Sequence, residues 1–234
     1  MDTTKIKPEQ RNGSWKQGCT IEVVYPGSGM GEAKRKILGI TKIERSYSLP
    51  GFVAHMHQHQ DDEILTCVRS GVVLHIDSLG HEQKLTPSLT TVVSAGHTFH
   101  HEERTLGRDP AEAYSIHFRP EPYAQHATVQ FVETSKSHLD QWRLLASCSN
   151  APLILRSRAR VHDARLSIGR HLLPLSDGED IIRVLIVLDG HVTFGDKHFK
   201  KGDIVSLADT EDTFHVVKPA DLLLIASGTF LPAI

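Results

Sequence analysis

From residue 36 onward, the sequence consists of short apolar segments separated by turn-forming residues. Segments such as KILGITKIERS and AYSIHFRP are rich in Val, Ile, Leu and Thr, and Gly, Pro, Ser or Asp lies at their ends. Many short strands at regular spacing predict a β-sandwich or barrel. Helical spacing is nearly absent, and HLDQWRLLAS at residues 138–147 is the segment for which we predict a short helix. The predicted fold class is therefore all-β.

The chain carries this pattern in two halves. CVRSGVVLHIDS (67–78) and IVLDGHVTFGD (186–196) each read as apolar strand, glycine turn and apolar strand, and an aromatic residue followed by histidine comes after each. A duplicated β unit is the simplest explanation. We predict a loop-rich arm with one strand over residues 1–35, a first β domain over 36–135 and a second over 136–234.

Composition argues against several classes of protein. The formal net charge is -2, without a basic stripe or acidic tail, so no nucleic-acid partner is expected. The N-terminus lacks the apolar segment of a signal peptide, and no apolar run reaches the roughly 18 to 20 residues that span a bilayer. The three cysteines share no short spacing, which argues against a disulfide framework or a thiolate zinc site. We expect a cytoplasmic protein without membrane contact.

Histidine is the unusual part of the composition, with 16 residues, many of them in two groups. In HMHQHQDDE, residues 55–63, the residues His55, His57 and His59 alternate and should share one face of a strand. Positions two apart lie about 6.6 Å apart and positions four apart about 13 Å, whereas metal–nitrogen bonds measure about 2 Å. One adjacent pair, 55/57 or 57/59, can therefore share an ion, but all three cannot.

The second group, HTFHHEE at residues 97–103, obeys the same geometry. His97, His101 and Glu103 share a face, and His101 and Glu103 form another pair two positions apart. Two facing strands, each with such a pair, would offer three imidazoles and one carboxylate. This ligand set suits Fe(II), Ni(II), Mn(II), Co(II) or Zn(II) and leaves coordination positions for water or substrate.

Around these pairs the sequence resembles the cupins and, more narrowly, the pirin family of bicupins, which includes quercetinase-like proteins. GFVAHMHQHQDDE, residues 51–63, is similar to the first cupin motif, G(X)5HXH(X)3E, in which both histidines bind the metal. Counted from Gly51, this motif selects His57 and His59. HIDSLG and SAGHTFHHEE are similar to the pirin patterns H.DS.G and AG.GI.HSE.

The resemblance is strong over residues 51–119, weaker over 140–230 and poor in the N-terminal arm. Three positions depart from the family pattern: Gln58 replaces the proline of HPH, Thr98 the glycine of AG.G, and Glu102 the serine of HSE. The four ligand types are intact, so these departures bear on pocket shape and substrate.

By this resemblance, the first domain is a cupin with one divalent transition metal held by four residues: His57, His59, His101 and Glu103. Fe(II) is the expected metal, with Ni, Mn, Co, Cu and Zn as alternatives. Glu63 is expected to orient a ligand imidazole rather than bind the ion. His97, on the face of His101, is a candidate for the pocket lining, with a surface position as the alternative.

The second half lacks most of these ligands. Alignment on Gly71 and Gly190 places other residues at three of the four ligand positions: Ser176 for His57, Gly178 for His59 and Val217 for Glu103. His215 falls at the position of His101. We therefore expect a C-terminal cupin without metal, in which His215 is structural or lies at the surface.

The resemblance implies a metal-dependent dioxygenase of the pirin and quercetinase type. Such an enzyme cleaves the ring of a flavonol-like or other enolic substrate with O2, and Glu103 would exchange a proton during the reaction. The expected partners are therefore O2 and a small aromatic or enolic molecule. Two alternatives stay open: a metal- or redox-sensing regulator that acts on a protein partner, and a hydrolase or isomerase on the same scaffold.

Overall fold

The computed structural model describes residues 3–6, 12–25, 39–120, 126–134, 138–174, 178–208 and 210–230. The first half contains twelve strands: β1 (Thr4–Lys5), β2 (Asn12–Lys16), β3 (Cys19–Tyr25), β4 (Ile40–Ser48), β5 (Val53–His59), β6 (Glu63–Ser70), β7 (Val72–Asp77), β8 (Glu82–Leu85), β9 (Leu89–Ser94), β10 (Phe99–Leu106), β11 (Ala111–Phe118) and β12 (Thr128–Glu133). The second half contains eight: β13 (Gln141–Ser147), β14 (Leu153–Ile154), β15 (Ala159–Leu166), β16 (Gly169–Leu172), β17 (Gly178–Phe194), β18 (Lys197–Lys200), β19 (Ile204–Leu207) and β20 (Thr213–Phe230). These ranges contain no helix, and so none that could cross a membrane. The all-β fold class is confirmed.

Strands β2 to β12 form two sheets that pack face to face. The larger sheet has the order β12-β9-β6-β11-β4-β3-β2, and the smaller has the order β5-β10-β7-β8. Buried residues of both sheets meet between them, as where Val68 of β6 contacts the cluster containing Val73 of β7 and Leu85 of β8. Burial of these apolar side chains on one face of each sheet is what holds a sandwich together.

The eight strands of the second half form one sheet together with β1, which makes this sheet nine-stranded. Its two longest strands, β17 with 17 residues and β20 with 18, pair along most of their length. The pairing register shifts near Asp189 and His191, next to Gly190. Because the early part of β17 pairs with β19 and the late part with β18, the same strand serves both layers of the second domain.

The large sheets of the two domains share one hydrophobic core. The cluster unites buried residues of the first half, such as Leu65, Tyr114 and Ile116, with residues of the second, such as Val184 and Ile225. All five side chains are at most 2% exposed. The two halves therefore pack against each other around one shared hydrophobic core.

Two equivalent glycines bear out the duplication. Gly71 has a φ of 73° and Gly190 a φ of 89°, the left-handed region that favours glycine. A Cβ on Gly71 would lie 2.6 Å from the carbonyl oxygen of Pro110, and one on Gly190 would lie 2.2 Å from that of Pro219. Each glycine thus lies against a Pro-Ala pair in its own half, at the point where the chain changes strand partners.

Two predictions for local structure were wrong. Residues 141–147, inside the predicted helix, form strand β13, which pairs with β15 and β14. The arm over residues 1–35 contains three strands rather than one: β2 and β3 form a hairpin that extends the large sheet of the first domain, and β1 joins β19 in the second. The boundary at residue 135 stays a prediction, since residues 135–137 lie outside the described ranges.

Candidate metal centre

The candidate centre lies where β5 and β10 pair in the smaller sheet of the first domain. His57 is opposite His101, and His59 is opposite Phe99. His57 and His59 are partly buried, whereas Gln58 between them is exposed. The alternation of strand side chains thus turns both histidines inward, toward the buried ring of His101.

The rings of His57, His59 and His101 converge. Each offers one nitrogen, and these three nitrogens lie within 4.8 Å of one another. The Nε2 atoms of His59 and His101 are 3.0 Å apart. Two nitrogens bound about 2.1 Å from one ion at right angles would be about 3.0 Å apart, so this spacing fits a shared transition metal.

A β-bulge decides which histidines face inward. His101 pairs with His57 but Glu103 pairs with Ala54, so His55 and Met56 together occupy the space opposite one residue. The side chain of His55 is consequently 87% exposed. The expectation that His55, His57 and His59 share a face was wrong, because the bulge interrupts the alternation between the first and second histidine.

The same bulge orients the ring of His57. Its Nδ1 lies 2.9 Å from the carbonyl oxygen of His55. A carbonyl oxygen only accepts hydrogen bonds, so Nδ1 carries the hydrogen and Nε2 keeps its lone pair. His57 is therefore held in the tautomer that can bind a metal through Nε2.

His101 is kept neutral by its surroundings. Burial lowers the pKa of His101 to about 2, and the neighbouring rings of His57, His59 and His75 lower it as well. A histidine must be unprotonated on the coordinating nitrogen to bind a metal. Burial thus prepares His101 for coordination across the whole physiological pH range.

Glu103 belongs to a second, overlapping group of donors. Donor atoms of Glu103, His75 and His101 also lie within 4.8 Å of one another. Glu103 lines a cavity of about 90 Å³ inside the first domain, together with hydroxyl groups such as those of Thr66 and Ser115. His101 thus belongs to both groups, and Glu103 lies close to His101 and His75.

Asp62 lies next to His59, the remaining candidate ligand among the three histidines. Its Oδ2 lies 3.8 Å from Nδ1 of His59 and accepts a 2.7 Å hydrogen bond from Nδ1 of His117, whose Nε2 is 3.4 Å from Glu44. Burial alone would raise the pKa of Asp62, but the bonds from His117 and His59 lower it to about 2. Burial alone would lower the pKa of His117, but the bonds to Asp62 and Glu44 raise it. The ionised Asp62 favours a hydrogen on Nδ1 of His59 and leaves Nε2 free.

Comparison with known proteins agrees with this architecture. Residues 38–118 match the family model described as Pirin. Over these residues the chain is similar to the pirin family. A relative from Zymomonas mobilis, named as a candidate quercetin 2,3-dioxygenase, is 25% identical over 179 residues, which cover 74% of this chain and 75% of the relative.

Solved pirin structures share the fold over nearly the whole chain. A bacterial pirin, YhhW from Escherichia coli in complex with nickel(II), gives a TM-score of 0.83 at 17% identity and covers 98% of this chain and 100% of that one. A quercetin 2,3-dioxygenase from Acinetobacter baumannii gives 0.76 at 17% identity, with 98% and 88% covered. At such identities the likeness concerns the fold.

Glu63 does not serve the site as expected. Its side chain is fully buried at the start of β6, and its two carboxylate oxygens accept hydrogen bonds of 2.9 to 3.1 Å from the backbone N–H groups of Arg156 and Ser157. Both oxygens are thus used by the second domain. The groups that lie next to candidate ligand imidazoles are instead Asp62, next to His59, and His75, next to His101.

His97 lies at the surface. Its side chain is 69% exposed, and its Nδ1 is 3.8 Å from Asp61. The expectation that His97 shares the face of His101 assumed a continuous strand, but β10 begins only at Phe99. The turn at Gly96, with a φ of 59°, breaks the alternation before that point.

The second domain differs from the sequence alignment in detail. Gly169 and His171 of β16 lie opposite Val216 and Phe214, as His57 and His59 lie opposite His101 and Phe99. Val216 rather than His215 therefore stands in the place of His101, and His215 is exposed. Ser176, one of the residues aligned from sequence, lies outside the described ranges. Glycine and valine offer no donor, so only His171 keeps a ligand type.

His75 lies close to the site although the sequence did not point to it as a site residue. The residue is 1% exposed, and its Nδ1 lies 3.4 Å from Nδ1 of His101. Its Nε2 lies 3.0 Å from Oδ2 of Asp77. The HIDS segment of β7 could have shown this pairing, because His75 and Asp77 are two positions apart on a strand and therefore share a face.

Proposed function

We propose that this protein is a metal-dependent dioxygenase that oxidises a small enolic molecule, with flavonols as the first class to test. The observation that carries the proposal is the convergence of three histidine rings, with donor nitrogens within 4.8 Å of one another. His57, His59 and His101 would hold one divalent transition metal, and Glu103 would serve as the fourth ligand. The names of the Zymomonas mobilis relative and the Acinetobacter baumannii structure support this reaction class.

The metal would be Fe(II), with Ni(II) the first alternative because a bacterial pirin of the same fold carries nickel(II). A bound ion of this kind supplies Lewis acidity and, when redox-active, electron exchange with dioxygen. Three neutral imidazoles and one carboxylate leave part of the coordination sphere free in a six-coordinate ion.

The residues of the chain prepare the site and move a proton. The bulge at His55 and the carboxylate of Asp62 keep the Nε2 atoms of His57 and His59 unprotonated. Glu103 would accept the enol proton of the substrate on a carboxylate oxygen, as a general base. The proton leaves the substrate oxygen, and the resulting enolate is the better electron donor.

The size of the inner cavity restricts where a substrate sits. About 90 Å³ holds about three water molecules, whereas pockets for drug-sized ligands measure about 300 to 1,000 Å³. A flavonol therefore does not fit behind Glu103 in this conformation. In the proposal it binds on the open side of the site, where His57 and His59 are only partly buried.

The test is to strip the protein of metal, reload it separately with Fe(II), Ni(II), Mn(II), Co(II), Cu(II) and Zn(II), and follow flavonol absorbance and oxygen uptake. We expect matched loss of flavonol and O2 with at least one redox-active metal. His57→Ala should fall to the level of the metal-free protein, whereas His97→Ala, an exposed histidine, should keep full turnover. Glu103→Gln should lower turnover by about 100-fold or more, the usual loss for a general base.

Two outcomes would overturn the proposal. Absence of turnover with every metal, for flavonols and for smaller enols, would remove the dioxygenase assignment. Turnover with Zn(II) and no oxygen uptake would point to hydrolysis or isomerisation on the same scaffold.

A further inference from the structure

Behind His101 lies a chain of hydrogen-bonding groups that the metal site itself does not explain. Nδ1 of His101 is 3.4 Å from Nδ1 of His75, and Nε2 of His75 is 3.0 Å from Oδ2 of Asp77. The three residues are at most 7% exposed. We infer that His75 and Asp77 are positioning residues that fix which nitrogen of His101 faces the metal. This inference rests on the proposed metal site.

The direction of the chain is set by Asp77. Its carboxylate has no hydrogen to donate when ionised, and burial alone would raise its pKa, but hydrogen bonds from His75, His81 and Leu79 lower it. Asp77 is therefore the acceptor, and Nε2 of His75 carries the hydrogen between them.

The tautomer of His75 then determines that of His101. A neutral His75 with its hydrogen on Nε2 has a lone pair on Nδ1. That lone pair faces Nδ1 of His101, 3.4 Å away, and accepts its hydrogen, so His101 has its lone pair on Nε2. This is the nitrogen 3.0 Å from His59, on the metal side of the ring. The buried carboxylate of Asp77 thus fixes the tautomer of His75, and His75 in turn fixes the tautomer of His101.

Asp77 is itself held in one orientation. Its Oδ1 accepts hydrogen bonds from the backbone N–H groups of Leu79, at 2.9 Å, and His81, at 3.1 Å. Oδ2 is the oxygen that faces His75, and it lies 3.0 Å from Nε2 of His75 and 3.0 Å from Nδ1 of His81, so the two hydrogens of an NH2 group at this position would face both rings. Because two backbone donors define the Oδ1 position, an asparagine here must place its carbonyl oxygen at Oδ1 and its NH2 group at Oδ2.

Because the two oxygens of Asp77 have different partners, an asparagine at this position should change the tautomers of both histidines. In Asp77→Asn the NH2 group would donate to Nε2 of His75 and move the hydrogen of His75 to Nδ1. His75 would then donate to Nδ1 of His101, which would carry its hydrogen on Nε2. The variant changes no side-chain volume appreciably, yet it places a hydrogen on the nitrogen that should bind the metal.

The direct test is nitrogen NMR of the metal-free, 15N-labelled full chain at about pH 8, above the ordinary histidine pKa of about 6.5. Long-range 1H–15N spectra report which ring nitrogen carries the hydrogen. In the unaltered protein we expect Nε2–H for His75 and Nδ1–H for His101. Asp77→Asn should reverse both, and Asp109→Asn, the same change at an exposed aspartate, should reverse neither.

Zn(II) affinity, measured by competition with a chelator, gives the second readout. Asp77→Asn should weaken binding by about 10- to 100-fold, the usual range for groups that orient a metal ligand. His75→Phe, whose ring would pack between Phe99 and Phe131, should weaken it less, because His101 then loses its partner without being forced into the wrong tautomer. A purely structural role predicts the opposite order, since His75→Phe is the more disruptive change.

The unaltered protein alone can overturn the inference. A hydrogen on Nε2 of His101, or on Nδ1 of His75, would contradict it whether or not any variant folds. Equal Zn(II) affinity for Asp77→Asn and Asp109→Asn would contradict it as well. Failure to turn over flavonols would leave it standing, because the tautomers are measured without metal and without substrate.

Discussion

Nδ1 of His57 and the carbonyl oxygen of His55 are joined across a β-bulge by a hydrogen bond of 2.9 Å. The bond uses the backbone of His55, while its side chain points to solvent. A change of that side chain therefore leaves the acceptor in place.

We expect His55→Ala to bind as much metal as the unaltered protein. His57→Ala, two positions away, should lose most of its metal because it removes a donor nitrogen. Metal content after loading with Ni(II) and gel filtration, measured by elemental analysis, compares the two. Parallel loss in both variants would show that the bulge does not separate their roles.

Glu63→Gln should destabilise the protein without affecting the metal. Both carboxylate oxygens accept backbone N–H groups of the second domain, so the NH2 group of a glutamine faces a donor in either orientation. Loss of bonds to a buried charge predicts a cost of about 2 to 4 kcal/mol. The midpoint of urea unfolding measures it, with Glu133→Gln at an exposed position as the control. Unchanged stability together with lost metal would show instead that Glu63 acts at the metal site.

His162 should make the second domain sensitive to acid. Burial, together with the charge of Arg160, lowers the pKa of His162 to about 4. The unfolded chain, with an ordinary pKa of about 6.5, takes up the proton first as the pH falls. Stability is therefore full above about pH 6.5 and is lost between about 6.5 and 4, by about 2 to 3 kcal/mol in all.

His162→Gln should remove this part of the pH dependence, because glutamine does not titrate. Urea midpoints at about pH 8, 6 and 4.5 would show a flatter profile for the variant. His126→Gln, at an exposed position, should keep the original slope. A slope that is the same in all three proteins would assign the acid sensitivity to other groups.

Gly71→Ala and Gly190→Ala should be more damaging than Gly107→Ala. All three glycines have a positive φ, but a Cβ meets backbone atoms only at the first two and open space at Gly107. Gly107→Ala should cost about 1 to 2 kcal/mol for conformation alone. The other two should cost about 1 to 3 kcal/mol more, for the forced shift of the neighbouring backbone. Thermal unfolding compares them, and equal losses for all three variants would contradict the role of the backbone contacts at Gly71 and Gly190.

Sequence patterns predicted the fold class and the duplication because both rest on local signals. Apolar residues that alternate along a strand, and glycines at turns, can be recognised from their immediate neighbours. The patterns failed for residues 138–147, where pairing with β15 overrides a weak helical pattern. They also failed for β1, whose two residues gain their structure only from a strand some two hundred positions later.

For the site, the motif spacing pointed to the residues whose rings converge, His57, His59 and His101. It misplaced Glu63 and wrongly put His97 on the face of His101, because parity arguments hold only along an unbroken strand. The partners of Glu63 lie in the other domain, and the turn at Gly96 precedes β10. Neither fact is visible in a local pattern.

Strand β1 pairs with β19, with Thr4 opposite Ser206 and Lys5 opposite Val205. Lys5 also forms a 2.6 Å ion pair with Asp203, and the side chain of Ile6 enters the core shared by the two domains. During synthesis, the ribosome releases this segment long before its partner exists. The second cupin therefore cannot complete its sheet edge by itself, and a separately expressed second half would expose the edge of β19 to pairing with other chains. The start of the chain is therefore needed for the last strands to form a complete sheet, so the two halves are coupled in folding as well as in packing.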